Sequence, residues 1–115
     1  MSTRAHIEVR EGKEKNYIYH HHDGYPSGVG MELKETLEEN HFFDKDKQFG
    51  IRKTTNLICN IDSQYEPDDG FHGDEEYYYV VDCDNRTLTC YDVPWDLEDF
   101  GELLIEENIV EIKPD

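Results

Sequence analysis

The sequence predicts an α+β fold, an antiparallel sheet of four or five strands built from two hairpins with one or two helices packed on one face. Two stretches of period-two alternation predict the sheet, and one stretch of helical period predicts what covers it. From Ala5 to Arg10, Ile7 and Val9 fall on one side and His6, Glu8 and Arg10 on the other. From Glu76 to Cys83 the same alternation sets Tyr77, Tyr79 and Val81 against Tyr78, Val80 and Asp82. Between these stretches Val29, Leu33 and Leu37 recur at the spacing of a helix whose other faces are polar.

Taken in order, Glu11-Gly12-Lys13 supplies a turn, and Asn16-Tyr17-Ile18-Tyr19-His20 alternates again, completing a first hairpin. Asp23-Gly24-Tyr25-Pro26-Ser27-Gly28 is dense in turn formers, and Ser27 is placed to cap a helix running to about Asn40. The charged stretch Asp44-Lys45-Asp46-Lys47 reads as a loop. Ile51, Thr55 and Ile58 then give a weaker helical stripe ending near Asn60, with a strand as the alternative because Thr54 and Thr55 lower helix propensity. Residues Tyr65 to Asp74 read as a loop from Pro67, Gly70, Gly73 and their acidic neighbours. Thr87 to Val93 returns from Asp84-Asn85-Arg86 as the partner of the Tyr-rich strand, and Pro94 stops the ladder. Trp95, Leu97 and Phe100 are expected to form a short helical turn, and Ile109 to Ile112 a last edge strand.

A length of 115 residues predicts a single domain over 1–115. Its 28 acidic residues against 11 basic ones leave a formal net charge of −17, which argues against nucleic acid, whose phosphates need clustered Lys and Arg. Anionic membranes are disfavoured for the same reason. No apolar run approaches the ~20 residues of a membrane span, and Met1-Ser2-Thr3-Arg4 leads into a strand pattern instead of a signal peptide, so the expected location is cytoplasmic. The acidity reads first as solubility and self-repulsion, and more sharply as a surface for a host protein with a basic face. Cys59, Cys83 and Cys90 form an odd set without Cys-x-x-Cys spacing, which reads as reduced, mostly buried thiols.

The histidine run His20-His21-His22 is the one constellation with obvious chemistry. In a strand, period two sends His20 and His22 to one face and His21 to the other, leaving a His-x-His pair with Asp23 behind it. His72 and Asp74 would complete a mixed metal site if their loop folds over, the arrangement a small metal-dependent hydrolase using His20, His22, Asp23, His72 and Asp74 requires. Without a Cys set or a longer His spacing, neither a metal nor another cofactor is expected. No nucleophile elbow or phosphate-binding loop is present, although Gly28-Val29-Gly30 at a helix start offers a perch for a small anionic ligand.

The opening Met1-Ser2-Thr3-Arg4 and the later Tyr19-His20-His21-His22-Asp23-Gly24-Tyr25-Pro26 resemble small tailed-phage and prophage proteins that begin Met-Ser-Thr-Arg and carry a His-Trp-Asp-Gly-Tyr-Pro segment. The resemblance covers roughly the first third of the chain, and His22 stands where the pattern has Trp, which removes an aromatic stacking surface. It implies a phage-type accessory protein. The reading favours a non-catalytic binding protein over the hydrolase, with Asp23, Tyr25, Pro26 and Gly28 as the residues that meet a host protein or small ligand. Tyr25, Pro26 and Gly28 are expected to serve function more than folding.

Overall fold

The first turn forms because Gly12 adopts φ +58, a left-handed conformation that other residues resist, so β1 (Ala5–Glu11) reverses into β2 (Glu14–His20). The computed structural model describes residues 3–44, 46–70, 75–92 and 109–112. After β2 the chain makes one π-type turn, Pro26–Gly30, and runs directly into α1 (Met31–Glu39). There follow α2 (Ile51–Cys59), β3 (Tyr65–Asp68), β4 (Tyr77–Asp82), β5 (Thr87–Asp92) and β6 (Ile109–Ile112). The strands make a six-stranded sheet in the order β3-β2-β1-β4-β5-β6.

The α+β class and both predicted hairpins hold, and the sheet is mixed where the two hairpins meet. Strand β1 pairs parallel with β4, Ile7 opposite Tyr79, while every other pair is antiparallel. A parallel pair needs a long crossover, and the two helices between β2 and β3 supply part of it. The chain then enters β4 beside the start of β1, where the Glu76 amide donates to the Arg4 carbonyl at 2.9 Å. Residues 65–68, expected as loop, are instead the edge strand β3 against β2. Pro67 is tolerated there because only one side of an edge strand needs its N–H groups. The predicted short helical turn at Trp95, Leu97 and Phe100 lies outside the described residues, as does the predicted loop segment 71–74.

Ile7, Val9, Ile18, Tyr79, Val81 and Leu88 share the sheet face on which Val29, Leu33, Leu37 and Ile58 pack, forming one buried cluster. Helix α2 is real despite its two threonines. Both hydroxyls donate back to carbonyls one turn earlier, Thr54 to Gly50 at 2.9 Å and Thr55 to Ile51 at 2.6 Å. Its open N-terminus is covered from a distance, the Ile51 amide donating to Glu11 Oε1 at 3.2 Å. Ser27 caps nothing as an N-cap residue; it sits inside the π-type turn, whose cap position is Tyr25. On the opposite sheet face His6, Glu8, Tyr78 and Val80 are also buried. There the Tyr78 hydroxyl donates to Glu8 Oε1 at 2.5 Å and Arg10 Nε donates to Glu8 Oε2 at 2.6 Å, so the buried carboxylate is satisfied.

Arg86 fastens the segment between the helices to the second hairpin. Its guanidinium donates to the carbonyls of Cys83 (2.9 Å), Phe42 (3.0 Å), Asp44 (3.1 Å) and Lys47 (2.5 Å), and it lies over the rings of Phe42 and Phe49. Replacing Arg86 by Ala should therefore cost about 2–3 kcal/mol in a urea melt, because several charge-assisted bonds are lost together. Arg86→Lys should recover less than half, since an ammonium cannot span carbonyls on both sides of a planar fork. A midpoint unchanged in Arg86→Ala would show that the loop holds itself.

Candidate functional site

Where β2 ends, its last side chain faces the same side as Ile18, toward the helices. His20 is 5% exposed and lies at the floor of a cleft of about 450 Å³ lined by His22, Asp23, Gly28, Val29, Glu32, Asp62 and Gln64. Period two thus acts as the alternation requires. His21 goes to the other side, edge-on to Tyr19, with its Nε2 3.0 Å from Glu66 Oε2. His22 and Asp23 return to the cleft wall with His20.

Each remaining group is placed by a different element. Glu32 stands in the first turn of α1, held by the Tyr65 hydroxyl, which donates to its Oε1 at 2.5 Å. Tyr65 lies opposite His20 in the β2–β3 ladder and packs against the imidazole with ring centres 4.3 Å apart. Asp62 closes the turn before β3, its Oδ1 accepting the Gln64 amide at 2.7 Å. One imidazole nitrogen of His20 and one carboxylate oxygen from each of Glu32 and Asp62 lie within 4.8 Å of one another. His20 Nδ1 is buried and has no hydrogen-bond partner among the described residues. Burial pulls its imidazole below the ordinary value, against a backbone hydrogen bond with His22 and the charges of Asp62, Glu32 and Asp23.

Gly28, expected to serve function, and its neighbour Gly24 both serve the backbone. A Cβ on Gly28 would stand 2.2 Å from the Asp23 carbonyl oxygen, and one on Gly24 would stand 2.8 Å from Ala5 Cβ. Both glycines are needed for close approach, so Gly28 has a part in the loop's own packing as well as a place in the cleft wall. Asp23 sits at φ +53, and its carbonyl accepts the Val29 amide at 2.9 Å. The Gly28 and Gly30 amides both donate to the Tyr25 carbonyl, at 2.9 and 3.5 Å. The amides proposed to cradle an anion are thus already engaged, and three carboxylates share the same cleft. A small anionic ligand is disfavoured there on both counts.

Tyr25 is 38% exposed, one of two large apolar side chains so exposed among the described residues, and its hydroxyl donates to Asp23 Oδ1 at 2.9 Å. Pro26 begins the π-type turn behind it. His72 and Asp74, required by the hydrolase reading, lie outside the described residues. Glu32, Asp62 and Tyr65 were invisible in the sequence as site residues. Nothing distinguishes two acids among 28.

A second cleft of about 420 Å³ lies beside Glu11, Phe49, Cys83 and Arg86. Burial raises the Cys83 thiol pKa, and its Sγ donates to Thr54 Oγ1 at 3.5 Å. None of the three cysteines is in a disulfide. Among the described residues no helix is long and apolar enough to cross a membrane. Set against known proteins, the chain matches no family model, no curated protein and no solved structure.

Proposed function

We propose that this is a non-catalytic binding protein, of the phage or prophage accessory kind that its N-terminal third resembles, whose ligand enters the His20 cleft as a positive charge. The observation that carries this reading is the meeting of Asp23, Glu32 and Asp62 around one concave site in a chain of net charge −17. Carboxylates converging on low-dielectric walls attract a cation more strongly than the same charges spread over a convex surface. The ligand is accordingly a small cation or a basic side chain of a host protein. Tyr25 supplies an exposed amphipathic contact, held on a short loop and steadied by Asp23.

The test uses agmatine, which carries a guanidinium and an ammonium group, titrated into the uniformly nitrogen-15-labelled protein. Amide shifts should saturate at Asp23, Gly28, Val29 and Gln64, and the exposed residues Glu14 and Lys15 at the far end of the hairpin should stay still. Asp23→Asn should weaken the response about tenfold, the order expected when one close charge partner is removed from a partly enclosed site. Shifts spread evenly over the acidic surface, or unaltered by Asp23→Asn, would sink the reading.

A further inference from the structure

The cleft holds a donor set more specific than a patch of negative charge. Three observations converge on it. His20 offers an imidazole that is 5% exposed, with a buried Nδ1 that has no hydrogen-bond partner among the described residues. Such an orphaned atom is costly to leave unpaired, and few native proteins keep one without a ligand or water to engage it. Glu32 and Asp62 bring carboxylate oxygens within 4.8 Å of that imidazole from two other elements. Tyr65 then ties the set together by packing on the His20 ring and holding Glu32 Oε1 through its hydroxyl at 2.5 Å. Hydrogen-bonded second partners of this kind are what orient ligating side chains in metal sites.

Resting on the reading of the cleft as a cation site, we propose that His20, Glu32 and Asp62 bind one divalent first-row transition metal ion of the Zn²⁺ class. One nitrogen and two carboxylate oxygens neutralise a dication and leave further positions for water or an exogenous ligand. Donors about 2.0–2.2 Å from zinc lie roughly 3.5 Å apart, so a contraction of about 1 Å is required. Binding would draw the exposed carboxylates of Glu32 and Asp62 toward the imidazole. The imidazole selects against Mg²⁺ and Ca²⁺, which prefer all-oxygen shells. The sequence joined His20 instead to His22, Asp23, His72 and Asp74. His22 and Asp23 line the same cleft.

The experiment is a titration of the metal-stripped protein with ZnCl₂ by calorimetry, repeated with CoCl₂ to read the visible bands of the bound ion. One saturable site is expected. Glu32→Gln and Asp62→Asn should each weaken it about tenfold or more and diminish the Co²⁺ bands, with circular dichroism melts unchanged. Tyr65→Phe keeps the ring and removes the hydroxyl, so as a positioning change it should alter the Co²⁺ spectrum and weaken binding less than Glu32→Gln does. His21→Ala and His41→Ala, which remove the exposed histidines paired with Glu66 and Asp44, should change nothing. Absence of saturable uptake, uptake indifferent to Glu32→Gln and Asp62→Asn, or loss of uptake on removing His21 or His41 would each overturn the proposal. Agmatine binding in the cleft without zinc uptake would remove the metal and leave the cation reading standing. No response to either probe would remove both.

Discussion

Raising the pH beyond about 10 should unfold this protein in one cooperative step. Tyr65, Tyr78 and Tyr79 are 2%, 5% and 0% exposed, and all three phenols are held far above the ordinary tyrosine range. Burial is the largest cause in each. The Glu32 carboxylate adds to it at Tyr65, Glu8 at Tyr78 and Cys90 at Tyr79. A folded pKa raised above the unfolded one gives stability that is fully present below about pH 10 and lost as pH climbs toward the folded value. Each such group removes about 1.4 kcal/mol per pH unit above 10, so three remove about 4. A domain of ordinary stability, about 5–15 kcal/mol, should then reach its midpoint between roughly pH 11 and 12 when it lies toward the lower end of that range. Tyrosinate absorbance and far-ultraviolet circular dichroism should change together. A full tyrosine titration centred near pH 10 with the dichroism intact would show that these phenols are not buried as described.

Gly28→Ala should lower the melting temperature by about 12 °C or more, whereas Tyr25→Ala should leave it within about 3 °C. The contrast follows from what each side chain meets. A methyl group at Gly28 falls 2.2 Å from a backbone oxygen, the Asp23 carbonyl, which cannot rotate away because it also accepts the Val29 amide. Separating them means opening the π-type turn and shifting the start of α1, an overpacking cost of about 3 kcal/mol. Tyr25, by contrast, stands in solvent with its hydroxyl on an exposed aspartate. Its loss is expected in binding instead, as a weaker agmatine response in the cleft. A stable Gly28→Ala variant would mean that the turn has room which the Cβ geometry denies. A Tyr25→Ala variant that melts as early as Gly28→Ala would make Tyr25 part of the core.

Much of the architecture was legible because it rests on local periodicity. Alternation placed Ile7 and Val9 against His6 and Glu8, and Tyr79 against Tyr78, on the faces where they lie. Helical spacing placed Val29, Leu33 and Leu37 in the core. The same period sent His20 and His22 to one side and His21 to the other, before anything was known of the cleft. Misreadings arose where a residue's local preference was overridden by its position. Pro67 and its acidic neighbours read as loop, yet an edge strand tolerates a missing N–H, so residues 65–68 pair with β2. Gly28-Val29-Gly30 read as an anion perch, yet tight turn geometry engages those amides internally.

By itself, then, the sequence determined the α+β class, both hairpins, the inward side of each strand, and the side that His20 and His22 share. Those follow from dihedral preference and apolar period, which act within a few residues. Only the tertiary structure decided that β4 lies parallel to β1, and that Glu32 and Asp62 are the two carboxylates meeting His20. These three residues come from β2, α1 and the turn before β3, and they meet because the β2–β3 ladder sets Tyr65 opposite His20 while α1 crosses the same face. Nothing in the local chain encodes such a convergence. It is a property of long-range packing, in which one buried cluster joins sheet to helices and so fixes where otherwise ordinary acids point.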